Sequence, residues 1–146
     1  MYLLDTNIIA ELRKFHRNSP HSLNENVKNW LLSVEPEQTY ISVITIMESY
    51  MGILLKERKD TAQGQILRHW FETYVQPVYK NRTLPINAEI AQLCANLHIP
   101  NKRPFCDAYI AATALIHNFT LVTRNVKDFQ DIPKLKLLNP FEDVIH

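Results

Sequence analysis

Apolar residues along the chain fall into short runs separated by helical stripes. Met1-Tyr2-Leu3-Leu4 is an apolar run too short for a helix and long enough for a central parallel strand, and it ends abruptly in Asp5-Thr6-Asn7. Thr6 or Asn7 can cap a helix through Ile8, Ile9 and Leu12. Phe15 to Leu23 has little periodicity and reads as a surface loop, after which Asn24 caps a helix bearing Val27, Trp30, Leu31 and Val34 that Pro36 stops. Tyr40 to Ser42 reads as a brief strand, and Ser42 caps the next helix. On that helix Ile44, Met47, Glu48, Met51, Gly52 and Leu55 lie on or near one stripe, which places Glu48 inside an apolar face.

Asp60 and Thr61 can cap a long helix with Ile66, Leu67, Trp70, Phe71, Tyr74 and Val75 on its buried side, closed or bent by Pro77. Thr83-Leu84-Pro85-Ile86 suits a short strand with its proline at an edge or end. Asn87 caps a helix through Ile90, Leu93, Cys94 and Leu97, which is expected to pack against the helix before it. Phe105 to His117, dense in alanine, reads as a closely packed helix. Thr120-Leu121-Val122-Thr123 is a second short strand that ends in polar groups, Arg124, Asn125 and slightly later Asp128. Phe129 and Ile132 pack a turn, and Leu135 to Leu138 alternates as a final edge strand. Strands separated by helices predict an α/β sandwich with a mainly parallel sheet flanked by helices. In such a sheet ligands bind in the crevice outside the carboxyl ends of the strands, where Asp5 would stand.

Composition narrows this little. The 146 residues, 1–146, fit one domain with a core that needs no staples. A formal charge of +1, from 16 basic and 15 acidic residues, gives no overall mark of a nucleic-acid binder and leaves room for a local basic rim. Cys94 and Cys106 have no CxxC spacing and suit a reducing cytosol, and no apolar stretch approaches a membrane span, so a soluble cytoplasmic protein is expected. With Gly52 and Gly64 as its two glycines, the chain has no glycine-rich phosphate loop.

Four acids, Asp5, Glu48, Asp107 and Asp128, occupy places from which each can point into one crevice. Glu48 either points inward or escapes to solvent from the helix edge, and Gly52, about 1 kcal/mol less favourable than alanine in a helix, marks a close approach by a ligand or by packing. Asp107 gains from the helix dipole even without a function, but Ile110, Ala111 and Ala114 share its face. Asp128 reads equally as a solvated turn acid and as a ligand. Convergent carboxylates repel one another and call for a proton or a cation. Carboxylate oxygens without thiolate suit Mg²⁺ or Mn²⁺, whereas zinc would prefer histidine or cysteine, and the scattered histidines form no HExxH pair. A metal so held can activate water against a phosphodiester, the chemistry that cuts nucleic acid. Thr6, Asn7, Thr123 and Asn125 can orient ligands or serve as caps and turns. Lys14, Arg17, Lys102, Arg103, Arg124 and Lys127 read either as a rim for RNA phosphates or as ordinary solubilising charge.

LLDTN at Asp5, the ExxxG of Glu48 and Gly52, CDAYIAATA at Asp107 and TRNVKDF ending in Asp128 together resemble PIN domains, in particular the VapC-type toxins of bacterial toxin–antitoxin pairs. The resemblance spans nearly the whole chain. It implies a Mg²⁺- or Mn²⁺-dependent endoribonuclease, often acting on structured RNA such as tRNA, usually a homodimer, and inhibited by a cognate antitoxin whose tail enters the active groove. It carries over Asp5, Glu48 and Asp107 as metal-site acids. Asp128, chosen from its NxxDF setting, is the fourth. Two rival readings are a catalytically quiet PIN-like module that binds RNA or protein, and a phosphatase forming an aspartyl-phosphate. The first is disfavoured because all four mutually repelling acids are present, the second because Asn7 stands where a second acid is expected.

Overall fold

The first apolar run forms β1 (Tyr2–Leu4), and the other strands are β2 (Thr39–Ser42), β3 (Thr83–Leu84), β4 (Thr120–Val122) and β5 (Leu137–Leu138). In the computed structural model, which describes residues 1–16 and 23–142, they make one parallel sheet in the order β3-β2-β1-β4-β5. The chain builds outward from β1 through β2 to β3, then returns to lay β4 on the other side of β1. The strand order therefore reverses between β1 and β4, and there the loops leaving the carboxyl ends diverge and open a crevice. Register places Leu3 beside Leu121 and Leu4 beside Val122, and all four side chains are fully buried.

Both faces of the sheet are covered, so its central strands are apolar on both sides. Leu4, Ile41 and Val122 pack with Ile8, Ile9, Trp30, Ile53 and Phe71, contributed by α1 (Thr6–His16), α2 (Glu25–Ser33), α3 (Val43–Lys59) and the turn that follows α4 (Thr61–Trp70). Leu3 and Leu121 pack on the other face with Ile110, Ala111 and Ala114 of α6 (Phe105–His117) and with Phe129 and Ile132. α5 (Ala88–Leu97) lies against the alanines of α6 through Ile90 and Cys94. No helix among the described residues is long and apolar enough to cross a membrane.

Side-chain caps set most helix starts: Asn24 accepts from Asn26 and Val27, Ser42 from Ile44, Asp60 from Gln63 and Asn87 from Ile90. Four expectations are corrected. The pairs are α3 with α4 and α5 with α6, so the helices on either side of β3 are not mutual partners, because they cover opposite faces of the sheet. The helix through Trp70 widens into a π turn at Phe71–Val75, which leaves Tyr74 and Ile66 about half exposed while Phe71 and Val75 stay buried. On α3 the buried residues are Thr45 and Ile53, while Met47, Met51 and Leu55, at 44%, 54% and 60% exposure, face solvent. Gly52 is exposed too, and a methyl group there would meet nothing within 4 Å. The close approach occurs at Gly64 instead, where a Cβ would fall 2.5 Å from Glu57 Cα and 2.6 Å from its nitrogen, so glycine is what lets α4 lie directly on α3.

Candidate active site

Asp5 is the joint between strand and helix. Its amide donates to the Val122 carbonyl at 2.9 Å, and its own carbonyl receives the Ile8 amide at 3.0 Å, so β1 passes into α1 without a loop. Oδ1 accepts the Thr6 amide at 2.8 Å, which makes Asp5 the cap in place of Thr6 or Asn7. Oδ2 accepts the Thr123 hydroxyl at 2.8 Å, and the Asn7 amide lies 3.4 Å from the same oxygen and 3.3 Å from the hydroxyl. Asn7 Oδ1 in turn accepts the Arg124 amide, and Thr123 Oγ1 accepts that of Asn125. The loop after β4 is thereby tied to the start of α1. Asp5 is only 5% exposed, and burial pushes its carboxyl above the usual range; the Thr123 and Thr6 bonds pull the other way, and the charge of Asp128 adds to the rise.

Glu48 enters from α3. Its Oε1 accepts the Thr6 hydroxyl at 2.6 Å, and Thr6 Oγ1 stands 3.1 Å from the fully buried Thr45 hydroxyl. One residue, Thr6, therefore connects the two acids, its amide donating to Asp5 and its hydroxyl to Glu48. The inward direction of Glu48 is fixed by this polar contact; of the apolar residues on its flanks, Met47 and Met51 face solvent and Ile44 is half-buried against the core. Thr45 is a site residue that the sequence reading missed; its position three residues before Glu48, on the same helix face, was the available signal.

Asp107 enters from the first turn of α6, where a helix N-terminus favours negative charge. Its carboxyl is nevertheless pushed up to about 6, first by desolvation and then by the charges of Asp5, Asp128 and Glu48. Four acids distant in sequence thus stand near enough for the charges of three to act on the fourth. Asp128 is exposed, on the helical turn Val126–Asp128. Among the described residues no three carboxylates, histidines or cysteines are gathered into a ready-made cage for a cation; the acids line the cleft from separate elements. Their oxygen-only donor set and their mutual repulsion fit a hard divalent cation that keeps part of its water. The Cys106 thiol is raised by burial and by the charges of Glu48 and Asp107, so it remains a thiol and contributes no thiolate.

The basic residues serve several purposes. Lys14 pairs at 3.2 Å with the buried Glu11, which also accepts the Asn24 amide. Arg103 forks onto both oxygens of Asp131 at 2.9 Å and donates through Nε to the Leu97 carbonyl, so its guanidinium holds the loop before α6. The guanidinium of Arg124 lies over the Phe141 ring and the ammonium of Lys102 over Phe105. Lys127 is exposed beside Asp128. Arg17 lies outside the described residues.

A family model described as PIN domain matches residues 2–135. Toxin FitB of Neisseria gonorrhoeae is 33% identical over 150 residues, covering 98% of this chain and 100% of FitB. VapC ribonuclease Y4jK of Sinorhizobium fredii is 31% identical over 147 residues, with 97% and 99% covered. Among solved structures, that of FitAcB from Neisseria gonorrhoeae superposes with a TM-score of 0.83 at 30% identity, covering 97% of this chain and 99% of that one. With the parallel order β3-β2-β1-β4-β5, four acids around the reversal point and a family match over nearly its whole length, the chain belongs to the PIN-domain family.

Proposed function

We propose that this protein is the toxin of a toxin–antitoxin pair and acts as an endoribonuclease, hydrolysing RNA phosphodiesters with water and a divalent cation, Mg²⁺ or Mn²⁺, and forming no covalent intermediate. The observation that carries the reading is the convergence of Asp5, Glu48 and Asp128 on Asp107, whose carboxyl is pushed up to about 6 first by desolvation and then by the charges of those three. Relatives of nearly equal length named as VapC ribonucleases support the choice of RNA. Asp5, Glu48 and Asp107 would hold the cation directly or through water, with Asp128 in support. When bound, such an ion neutralises their charge, lowers the pKa of an attacking water and stabilises the departing oxygen. The chain's own part is positional. Thr123 and the Thr6 amide fix both oxygens of Asp5, Thr6 holds Glu48 toward the cleft, and Asn7 fixes the loop that bears Arg124 and Asn125.

Purified protein freed of any partner, incubated with total cellular RNA in Mg²⁺, Mn²⁺ or EDTA beside Asp5→Asn, tests the reading. Discrete cuts are expected that disappear with EDTA and in the variant, since an amide supplies neither the charge nor the same ligand strength. A folded wild-type protein that cuts nothing under any metal would bring the quiet-module reading forward.

Two apolar surfaces fit the proposed partners. A groove of about 240 Å³ between α1, α2 and the segment after α4, lined by Leu12, Phe15, Leu31, Leu32, Tyr74 and Val78, leaves Leu32 66% and Val78 52% exposed. Large apolar side chains gathered in a groove mark a docking site. We assign it to the antitoxin, in keeping with relatives solved as toxin–antitoxin complexes. The outer stripe of α3, formed by Val43, Met47, Met51, Leu54 and Leu55, is assigned to a second copy of the chain.

A further inference from the structure

Beside the acids lies a polar cavity of about 580 Å³, between the loop joining α5 to α6 and the turn after β4, on the scale of sites that hold small ligands. Asn96, Asn101, Lys102 and Asp128 are among its lining residues. Its two walls are clamped together. Arg103 forks onto Asp131 from one to the other, donates to the Leu97 carbonyl at 2.8 Å, and its own amide donates to His98 Nδ1 at 3.0 Å. The cavity is therefore preformed. Phe105, the first residue of α6, is not part of the cavity's lining but is joined to it by Lys102, whose ammonium lies 4.8 Å from its ring centroid; the ring keeps 58% exposure although the His98 ring also meets it edge-on.

An exposed aromatic ring, an ammonium and two side-chain amides are the groups that recognise an unpaired nucleotide: ring for base, ammonium for phosphate, amides for base edges. A neighbouring wall of acid would repel phosphate; of the two acids lining the cavity, Asp131 is neutralised by the fork of Arg103, which leaves Asp128 alone. Stacking of a base is worth more than an exposed ammonium–ring contact, so a base can displace Lys102 from Phe105 and leave the ammonium to meet a phosphate. The geometry points to this corner as a subsite for an unpaired nucleotide flanking the cleaved bond, with Phe105 as the stacking platform and Lys102 and Asn101 as its polar contacts. This rests on the ribonuclease reading and adds to it which residues choose the RNA.

The test uses the full chain. Asp5→Asn protein is mixed with single-stranded oligoribonucleotides of random sequence containing 4-thiouridine, irradiated, and its crosslinked peptides are mapped. Crosslinks are expected within residues 101–105. In parallel, Phe105→Ala and Lys102→Ala are compared with wild type on the RNA that wild type cuts: each should raise KM about tenfold with kcat changed less than twofold, and Phe105→Tyr should restore KM. Unfolding temperature, unchanged in both, separates this from a structural role. Cleavage by wild type with crosslinks elsewhere and KM unaltered would overturn the subsite alone. Crosslinks absent and cleavage absent would overturn the ribonuclease reading and the subsite with it. An antitoxin peptide that protects residues 101–105 while RNA does not would assign the corner to protein instead.

Discussion

Asp5 and Asp107 reach the same cleft from the sheet and from a helix, and they are supported very differently. Asp5 is nearly inaccessible, and burial raises its carboxyl, but its two oxygens accept a backbone amide and a buried hydroxyl that offset part of the rise. Asp107 is less buried but receives no hydrogen bond among the described residues, and its carboxyl is pushed up to about 6 first by desolvation and then by three other acids. Both carboxyls are raised, but the oxygens of one are held by donors of the fold and those of the other are left open to something positive. The contrast shows why a cluster of this kind is built unevenly: a rigid anion sets the position, and an uncompensated one makes the site bind.

The largest effect should come from removing the unsupported acid. Asp107→Asn is expected to cut RNA at least a hundredfold more slowly, as with other losses of charge at a metal-dependent centre. The same change relieves repulsion, so the metal-free variant should unfold at higher urea concentration than wild type at pH 7. Activity lost and stability gained together would bear out the contrast. A variant that loses stability would mean that Asp107 has a structural partner and the contrast is false.

Thr123→Val tests the supported acid. The hydroxyl is wholly buried, donates to Asp5 and accepts from Asn125, so an isosteric valine strands both partners at a cost of about 1–3 kcal/mol. Without that donor the Asp5 carboxyl rises further, so the destabilisation should be larger at pH 8 than at pH 5, and the acid limb of the cleavage profile should move to higher pH. Denaturant melts at the two pH values check the first and single-turnover cleavage the second. Equal destabilisation at both would show that Thr123 acts on the loop and not on the charge.

Legibility in the sequence followed the burial of each element. β1 and α6 are covered on nearly every side, so an apolar run and a string of alanines name them directly, and the positions of Asp5 and Asp107 follow from where those elements end and begin. α3 is covered along one face only. Its apolar stripe is real, but Met47, Met51 and Leu55 stay outside, since periodicity reports amphipathicity without saying whether the apolar side meets the core or a partner. Glu48 was therefore singled out for a reason that did not hold, and what turns it inward is a hydroxyl 42 positions away in the chain. The glycines divide in the same way: Gly52 touches nothing and Gly64 carries a helix crossing, a distinction set by the packing of α4 and invisible locally. The field on Asp107 is the least readable feature, because it sums charges from three other parts of the chain that only the tertiary fold brings together.

That field has a pH signature. A carboxyl raised in the folded protein from an ordinary 3.8 to about 6 contributes stability that is fully present below 3.8 and is lost as pH rises through 6, because the unfolded chain ionises more readily. Metal-free wild type should therefore be more stable near pH 5 than at pH 7.5, by on the order of 1–2 kcal/mol once partial exposure of the group is allowed for. Asp107→Asn should flatten most of that slope. Mg²⁺ or Mn²⁺ at saturation should flatten it as well, since an ion that binds the anionic form depresses the folded pKa, and its apparent affinity should climb through the same window as protons leave. Urea melts at pH 5, 6 and 7.5, with and without metal, read all three. A slope that survives in Asp107→Asn would place the titration on another acid, and a slope that metal leaves untouched would mean that the cluster is not where the cation binds.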